Sequence, residues 1–174
     1  MISDPRYPIG PEPVFEPITA ATRLKYVDTV AELPSAIRAA VSGLTAPQLD
    51  TPYRPGGWTV RQVVHHLADS HLHAFIRLKW ALAEDAPIIK PYDERVWAEL
   101  PDSAMDIPVS LAILDGLHAR WVALYRAMTD SQFAREFTHP ERGRLTLDQH
   151  LHIYAWHSRH HVAHVTALRR TEGW

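Results

Sequence analysis

The sequence predicts an all-α protein built as a four-helix bundle, and three observations carry that prediction. Apolar residues recur at helical spacing in four separate stretches of the chain. No stretch shows a persuasive strand alternation, and there is no internal repeat. The second and third helical stretches are separated by a long Pro-containing segment, which reads as a crossover rather than a tight hairpin and so permits parallel neighbours.

The chain opens with Pro5, Pro8, Pro11, Pro13 and Pro17. Each Pro lacks an N–H and restricts its predecessor, so residues 1–18 are expected to form an extended arm lying on the bundle. The first helix is expected from about Thr22 to Ser42, with Gly43 as its stop signal and a kink or restart at Pro34. Pro52, Pro55, Gly56 and Gly57 then mark a loop that runs into Trp58.

Thr59 and Gln62 form a capping box, the threonine bonding forward and the glutamine bonding back. From there Val60, Val63, Val64, Leu67, His71, Ala74, Phe75, Leu78 and Leu82 recur at helical spacing, giving a second helix to about Glu84. The crossover, Asp85 to Pro108, contains a short helical pattern from Asp93 to Leu100. A third helix, about Val109 to Met128, carries Leu111, Leu114, Leu117, Trp121, Leu124 and Tyr125 on one side. The fourth runs from about Thr146 to Arg170.

With 174 residues the chain is expected to be a single domain spanning 1–174, long enough to bury a core unaided. Apolar residues make up 46% and charged residues 22%, which is ordinary for a globular protein. A net charge of -2 supplies no long-range field for a phosphate backbone, so nucleic acid is not an expected partner. The absence of cysteine excludes thiolate nucleophiles, disulfides and cysteine-based zinc sites. No stretch resembles a secretory signal or a membrane span, so no membrane association and a cytoplasmic location are expected.

Twelve histidines stand beside only three lysines, and their placement carries the functional reading. On a wheel of the fourth helix Leu147, Leu151, Ala155, Val162 and Val165 mark the core-facing stripe. His157 and His161 lie beside it, one turn apart, with Cβ atoms about 5 to 6 Å from each other. Both imidazoles can therefore reach one cation. His160 points away from the core and is expected to be solvated or to stand behind the ligands, while His150 and His164 share the edge of the pair and are expected to line a pocket.

A third ligand has to come from another helix, because zinc usually takes four ligands and nickel or iron more. His65 and His66 are both available, and the wheel leans to His66 while leaving the two open. Spacing alone does not separate this reading from surface histidines on an amphipathic helix, which are common.

Longer strings do separate them. The run Thr51-Pro-Tyr-Arg-Pro-Gly-Gly-Trp-Thr-Val-Arg-Gln-Val-Val-His-His-Leu-Ala-Asp-Ser-His71 and the run Tyr154-Ala-Trp-His-Ser-Arg-His-His-Val-Ala-His164 closely resemble the YfiT-like branch of the DinB-like superfamily. The Tyr7-Pro-Ile-Gly10 arm and Lys90-Pro-Tyr92 extend the likeness over most of the chain. The resemblance implies an up-down-down-up bundle, one divalent metal ion held by three histidines, and frequently a homodimer. In the family's pattern the first ligand stands eight residues after the loop tryptophan, which places it at His66; the other two fall on His157 and His161.

The same resemblance implies a metal-dependent hydrolase acting on a small molecule; imidazole donors suit zinc, nickel, copper and iron, of which zinc or nickel is expected. Transfer of a low-molecular-weight thiol of the bacillithiol or mycothiol type is the alternative it offers, and a non-catalytic metal-binding stress protein is a further one. Three neutral imidazoles leave at least one coordination position for water or a thiol.

Other chemistries fit less well. Ser158 follows His157 where a zinc protease of the His-Glu-x-x-His type has its general base. A di-iron site needs Glu-x-x-His on two helices, and the single such string, Glu136 to His139, is expected in a loop before Pro140. Asp69 is one turn after His66, but its wheel position favours solvent over a ligand imidazole. Trp58 and Trp156 are read as core aromatics before pocket walls.

Overall fold

The computed structural model describes residues 4–174. In chain order the elements are α1 (Ala20–Val41), α2 (Ala46–Leu49), α3 (Val60–Ala83), α4 (Glu94–Trp97), a 3-10 turn (Pro101–Ala104), α5 (Pro108–Ala127), α6 (Asp130–Phe133), β1 (Glu136–His139), β2 (Gly143–Thr146) and α7 (Leu147–Glu172). The four long helices are those the periodicity predicts, with ends shifted by one or two residues. Thr-x-x-Gln capping boxes start α2, α3, α6 and α7. Gly43, at φ +76°, takes the left-handed conformation just beyond α1.

Cross-helix contacts fix the direction of every helix. Arg23 pairs with Asp148 and Arg169 donates to the Ala40 carbonyl, so α1 and α7 run parallel. His65 meets Ser110 and His71 meets His118, so α3 and α5 also run parallel. His71 meets His157 and Ala74 meets His150, so α3 opposes α7; Asp28 meets Arg126 and Val30 meets His118, so α1 opposes α5. The result is an up-down-down-up bundle, and the segment between α3 and α5 is the crossover that joins its two parallel neighbours.

Three local features depart from the sequence reading. Glu136 to His139 is not loop but β1, paired antiparallel with β2 in a hairpin that turns at Pro140 and Gly143. Only four residues pair on each side, too few for alternation to be legible, and Phe137 supplies the buried anchor at 2% exposure. The second departure concerns Pro34, where α1 continues without a restart. A helical proline orphans the carbonyl four residues earlier, and here His118 Nδ1 donates to that Val30 carbonyl at 2.7 Å. The third is His160, which is buried rather than solvated. Residues 4–19 form the expected arm and lie across α7, with His152 Nε2 donating to the Pro13 carbonyl and Tyr7 packing 6.1 Å from His160. Residues 1–3 of the expected arm lie outside the described residues.

The apolar core is divided in two. One cluster gathers Val27, Val30, Leu78, Trp121, Tyr125, Phe137, Leu147 and Leu151; the other gathers Leu33, Ile37, Val63, Val64, Leu67, Leu111, Leu114 and Val165. Histidines stand where they meet: His71 on α3 and His157, His161 and His164 on α7 occupy the interval between them, while His66 stands among residues of the second cluster and His118 among those of the first. Burying such a polar layer is unfavourable unless its nitrogens find partners, so the hydrogen bonds within the layer decide how it is arranged.

The cap at the head of α3 places His66, which makes it a useful point to perturb. Thr59 Oγ1 accepts from the Gln62 N–H at 3.1 Å, and Gln62 Oε1 accepts from the Thr59 N–H at 2.9 Å. Thr59→Ala is expected to destabilise the fold by about 1 kcal/mol in chemical denaturation. A loss indistinguishable from zero would show that the cap is dispensable.

Candidate metal centre

Two helices and one loop build the site. The loop before α3 folds back through paired backbone bonds, Tyr53 N–H to the Trp58 carbonyl and Val60 N–H to the Thr51 carbonyl. Gly57 is required there, because a Cβ would come within 2.7 Å of Arg54 Cγ and 3.2 Å of the Arg54 carbonyl oxygen. This turn sets the Trp58 ring 4.5 Å from His66, so Trp58 walls the site.

His66, on α3, projects towards α7 and meets His157 and His161, one turn apart on that helix. One ring nitrogen of each lies within 4.8 Å of those of the other two, and among the described residues no other three His, Asp or Glu side chains gather so closely. His66 Nε2 faces His157 Nε2 at 3.3 Å. Two imidazole nitrogens bound to one tetrahedral zinc at about 2.05 Å would stand about 3.3 Å apart, so this pair is already at a shared-cation separation. His66 and His161 are buried and His157 is half-buried, which leaves the group open on the His157 side.

Burial also sets the protonation state. It pushes the His66 imidazole down to about 3, with the charges of His160 and His164 adding to the effect. His157 and His161 are likewise held well below the usual imidazole value, first by burial and then by the neighbouring His66 and His157 respectively. All three rings are therefore neutral near pH 7, the form in which an imidazole nitrogen offers a lone pair to a cation. Three neutral nitrogen donors with no carboxylate among them suit zinc, nickel, copper or iron rather than calcium or magnesium.

The remaining sequence candidates separate cleanly. His65 turns the other way, its Nε2 donating to the Met105 carbonyl at 2.9 Å and its Nδ1 meeting Ser110 Oγ at 2.7 Å. Asp69 is half-buried and makes no hydrogen bond to His66; burial, then the Asp102 charge, raises its carboxyl. His150 lies in the core, its Nε2 donating to the Ala74 carbonyl and its Nδ1 meeting the Tyr125 hydroxyl. Ser158 donates to the Tyr154 carbonyl at 2.7 Å, and Trp156 stacks on His160 at 4.3 Å. Glu136 pairs with Arg144 on the hairpin, so the Glu136 to His139 string contributes nothing to this site.

Two participants escaped the sequence reading. His71 Nε2 meets His157 Nδ1 at 3.0 Å, and His71 Nδ1 meets His118 Nε2 at 2.9 Å. The signal for both was present: His71 falls within the apolar stripe of α3, and His118 falls one turn from Leu114 and three residues from Trp121. A polar residue on an apolar stripe needs a partner, and each is the other's.

A four-helix bundle with three histidines converging from two helices defines the class of protein this is. The DinB superfamily profile matches residues 29–165, and the chain belongs to that superfamily. It is 51% identical over 170 residues to YfiT of Bacillus subtilis (strain 168), covering 97% of this chain and 96% of that protein. A relative from Bacillus cereus (strain B4264) is 48% identical over 173 residues, covering 99% and 100%. Both relatives bear, as an inference, the name of metal-dependent hydrolases. A solved structure of YfiT from Bacillus subtilis superposes with a TM-score of 0.95 at 50% identity over 98% of each chain, and is described as a probable metal-dependent hydrolase with an unusual four-helix bundle topology.

Proposed function

We propose that this protein is a metal-dependent hydrolase of a small-molecule substrate, in which His66, His157 and His161 hold one divalent cation, zinc or nickel. The observation that carries this reading is the convergence of three neutral imidazoles from two helices, two buried and one half-buried, within 4.8 Å. The names of relatives about half identical over nearly the whole chain agree with it. When bound, such a cation supplies Lewis acidity and lowers the pKa of a coordinated water or thiol towards neutrality.

The protein's own residues supply the rest. His66 and the His157–His161 pair approach from antiparallel helices, so the bundle core holds the donor set rigid. Trp58 covers His66 on one side and excludes water there, while half-buried His157 leaves a side through which a substrate enters. Because the donors carry no charge, the cation keeps its full positive charge for the reacting group.

Protein purified without a histidine tag is expected to carry about one zinc or nickel ion per chain by elemental analysis. Hydrolysis of an ester and amide panel is expected to stop on chelation and return on adding the ion back. Turnover only with a thiol and an electrophile would replace hydrolysis with thiol transfer, and a metal-free protein that turns over substrate would remove the proposal altogether.

A further inference from the structure

Of the buried histidines that the metal reading leaves unused, three complete two strings of hydrogen bonds. The first runs from His157 Nδ1 to His71 Nε2 at 3.0 Å, from His71 Nδ1 to His118 Nε2 at 2.9 Å, and from His118 Nδ1 to the Val30 carbonyl at 2.7 Å. The second runs from His161 Nδ1 to His164 Nδ1 at 3.3 Å and from His164 Nε2 to the Arg6 carbonyl at 3.2 Å. Each string ends on a main-chain oxygen.

That ending settles the order of protons. A carbonyl only accepts, so His118 carries its proton on Nδ1 and offers a lone pair at Nε2. His71 must then donate from Nδ1 and accept at Nε2, and His157 must donate from Nδ1. What remains at His157 Nε2 is a lone pair. The second string gives the same answer: His164 donates from Nε2 to Arg6, accepts at Nδ1, and so receives the Nδ1 proton of His161. His161 Nε2 is likewise left bare.

We propose that these two strings fix the tautomers of His157 and His161, so that both present an Nε2 lone pair to the cation, and that His71, His118 and His164 act as positioning residues. The inference rests on the metal reading above and deepens it. The logic requires one proton per ring, and the surroundings agree: none of the five rings hydrogen-bonds a carboxylate, and burial holds His118, which touches no ligand, down to about 4.

Two peculiarities of the chain acquire a purpose. Pro34 lies in the middle of α1 and lacks the N–H that would occupy the Val30 carbonyl, so it leaves that oxygen for His118. The arm, through the Arg6 carbonyl, anchors the second string and thereby belongs to the site. A carbonyl or carboxylate usually orients a metal-bound imidazole directly. Here histidines relay the same constraint, over two intervening rings in one string and one in the other.

The test begins with the full-length, metal-free protein labelled with 15N histidine. Long-range proton–nitrogen correlation at pH 7.5 is expected to show Nδ1–H for His71, His118, His157 and His161, and Nε2–H for His164. A proton on Nε2 of His157 or His161, or a doubly protonated ring in either string, overturns the proposal without any variant having to fold.

Affinity for Ni(II) or Zn(II), measured by competition with a chelator, is expected to fall about 10–100-fold in His118→Leu. His118→Gln is expected to recover most of it, because an amide both donates and accepts. Unchanged affinity in a folded His118→Leu protein also overturns the proposal. Failure of the unaltered protein to bind either cation strikes the metal reading instead, and the NMR result separates the two failures.

Discussion

Replacing His161 with alanine is expected to lower the affinity for Zn(II) or Ni(II) by more than about a hundredfold, beyond what loss of an outer hydrogen-bond partner costs. The substitution removes one of three donors and dissolves the one-turn pair on α7, leaving His66 and His157 on separate helices. The helical fold is expected to persist, because His161 belongs to neither apolar cluster and its one hydrogen bond is to His164 Nδ1. Leaving that acceptor unpaired costs about 1–3 kcal/mol in the metal-free protein.

Ligand binding adds a second signature. A cation at a hundred times its Kd stabilises the native state by about 2.7 kcal/mol, so the unaltered protein should melt higher when loaded. The variant should show almost no such shift while keeping its far-ultraviolet helical spectrum. Chelator competition and paired melting curves check both statements, and a variant that binds as tightly as the parent would remove His161 from the ligand set. His160→Ala serves as the contrast: it stacks on Trp156 outside the cluster and should change affinity far less.

Acid is expected to unfold the metal-free protein steeply below about pH 6, and two core histidines that hydrogen-bond none of the three ligands are enough to show why. Burial holds His118 down to about 4, against the raising effect of its bond to the Val30 carbonyl. It holds His150 down to about 3, with the Arg77 charge adding. In the unfolded chain both titrate near 6.5. Above that value neither state binds the proton, and stability is independent of these groups.

As pH falls below 6.5 the unfolded chain takes up protons that the native state refuses. Stability therefore drops with falling pH until the folded values near 4 and 3 are reached. Each group contributes a slope of about 1.4 kcal/mol per pH unit, so the pair removes roughly 5 kcal/mol between pH 6.5 and 4.5. That is a large part of a total stability of about 5–15 kcal/mol. Urea denaturation at a series of pH values measures the slope directly. A flat profile from pH 7 to 5 would mean that these rings are already protonated or reach water.

The long helices and the one-turn spacing of His157 and His161 could be read before any tertiary structure, since both depend on spacing along one helix. Val60 to Leu82 and Leu147 to Val165 announce their buried faces by recurrence every three to four residues, and Thr59 with Gln62 announces where α3 begins. The His157 and His161 pair is likewise a local property of one helix. The resemblance of the Trp58 region supplied His66 where periodicity left His65 open, because the two differ by a single residue's rotation about the axis.

Everything joining one helix to another was decided later. His71 and His118 are 47 residues apart, and His66 and His157 are 91 apart, so their meeting follows from the up-down-down-up packing and not from any local pattern. The burial of His160 was hidden for the same reason: a helical wheel knows the core side of α7 but not the arm that covers the other side. The hairpin of β1 and β2 was too short to show a period.

Pro34 makes the division plain. By itself it signals a broken helix; with His118 beside it, it becomes a free carbonyl anchoring the first string of imidazoles. Sequence thus determined the secondary structure and the kinds of donors available, because those follow from short-range sterics and hydrophobic repeat. Tertiary structure decided which nitrogen faces which, because directional hydrogen bonds between distant segments exist only once the helices have docked.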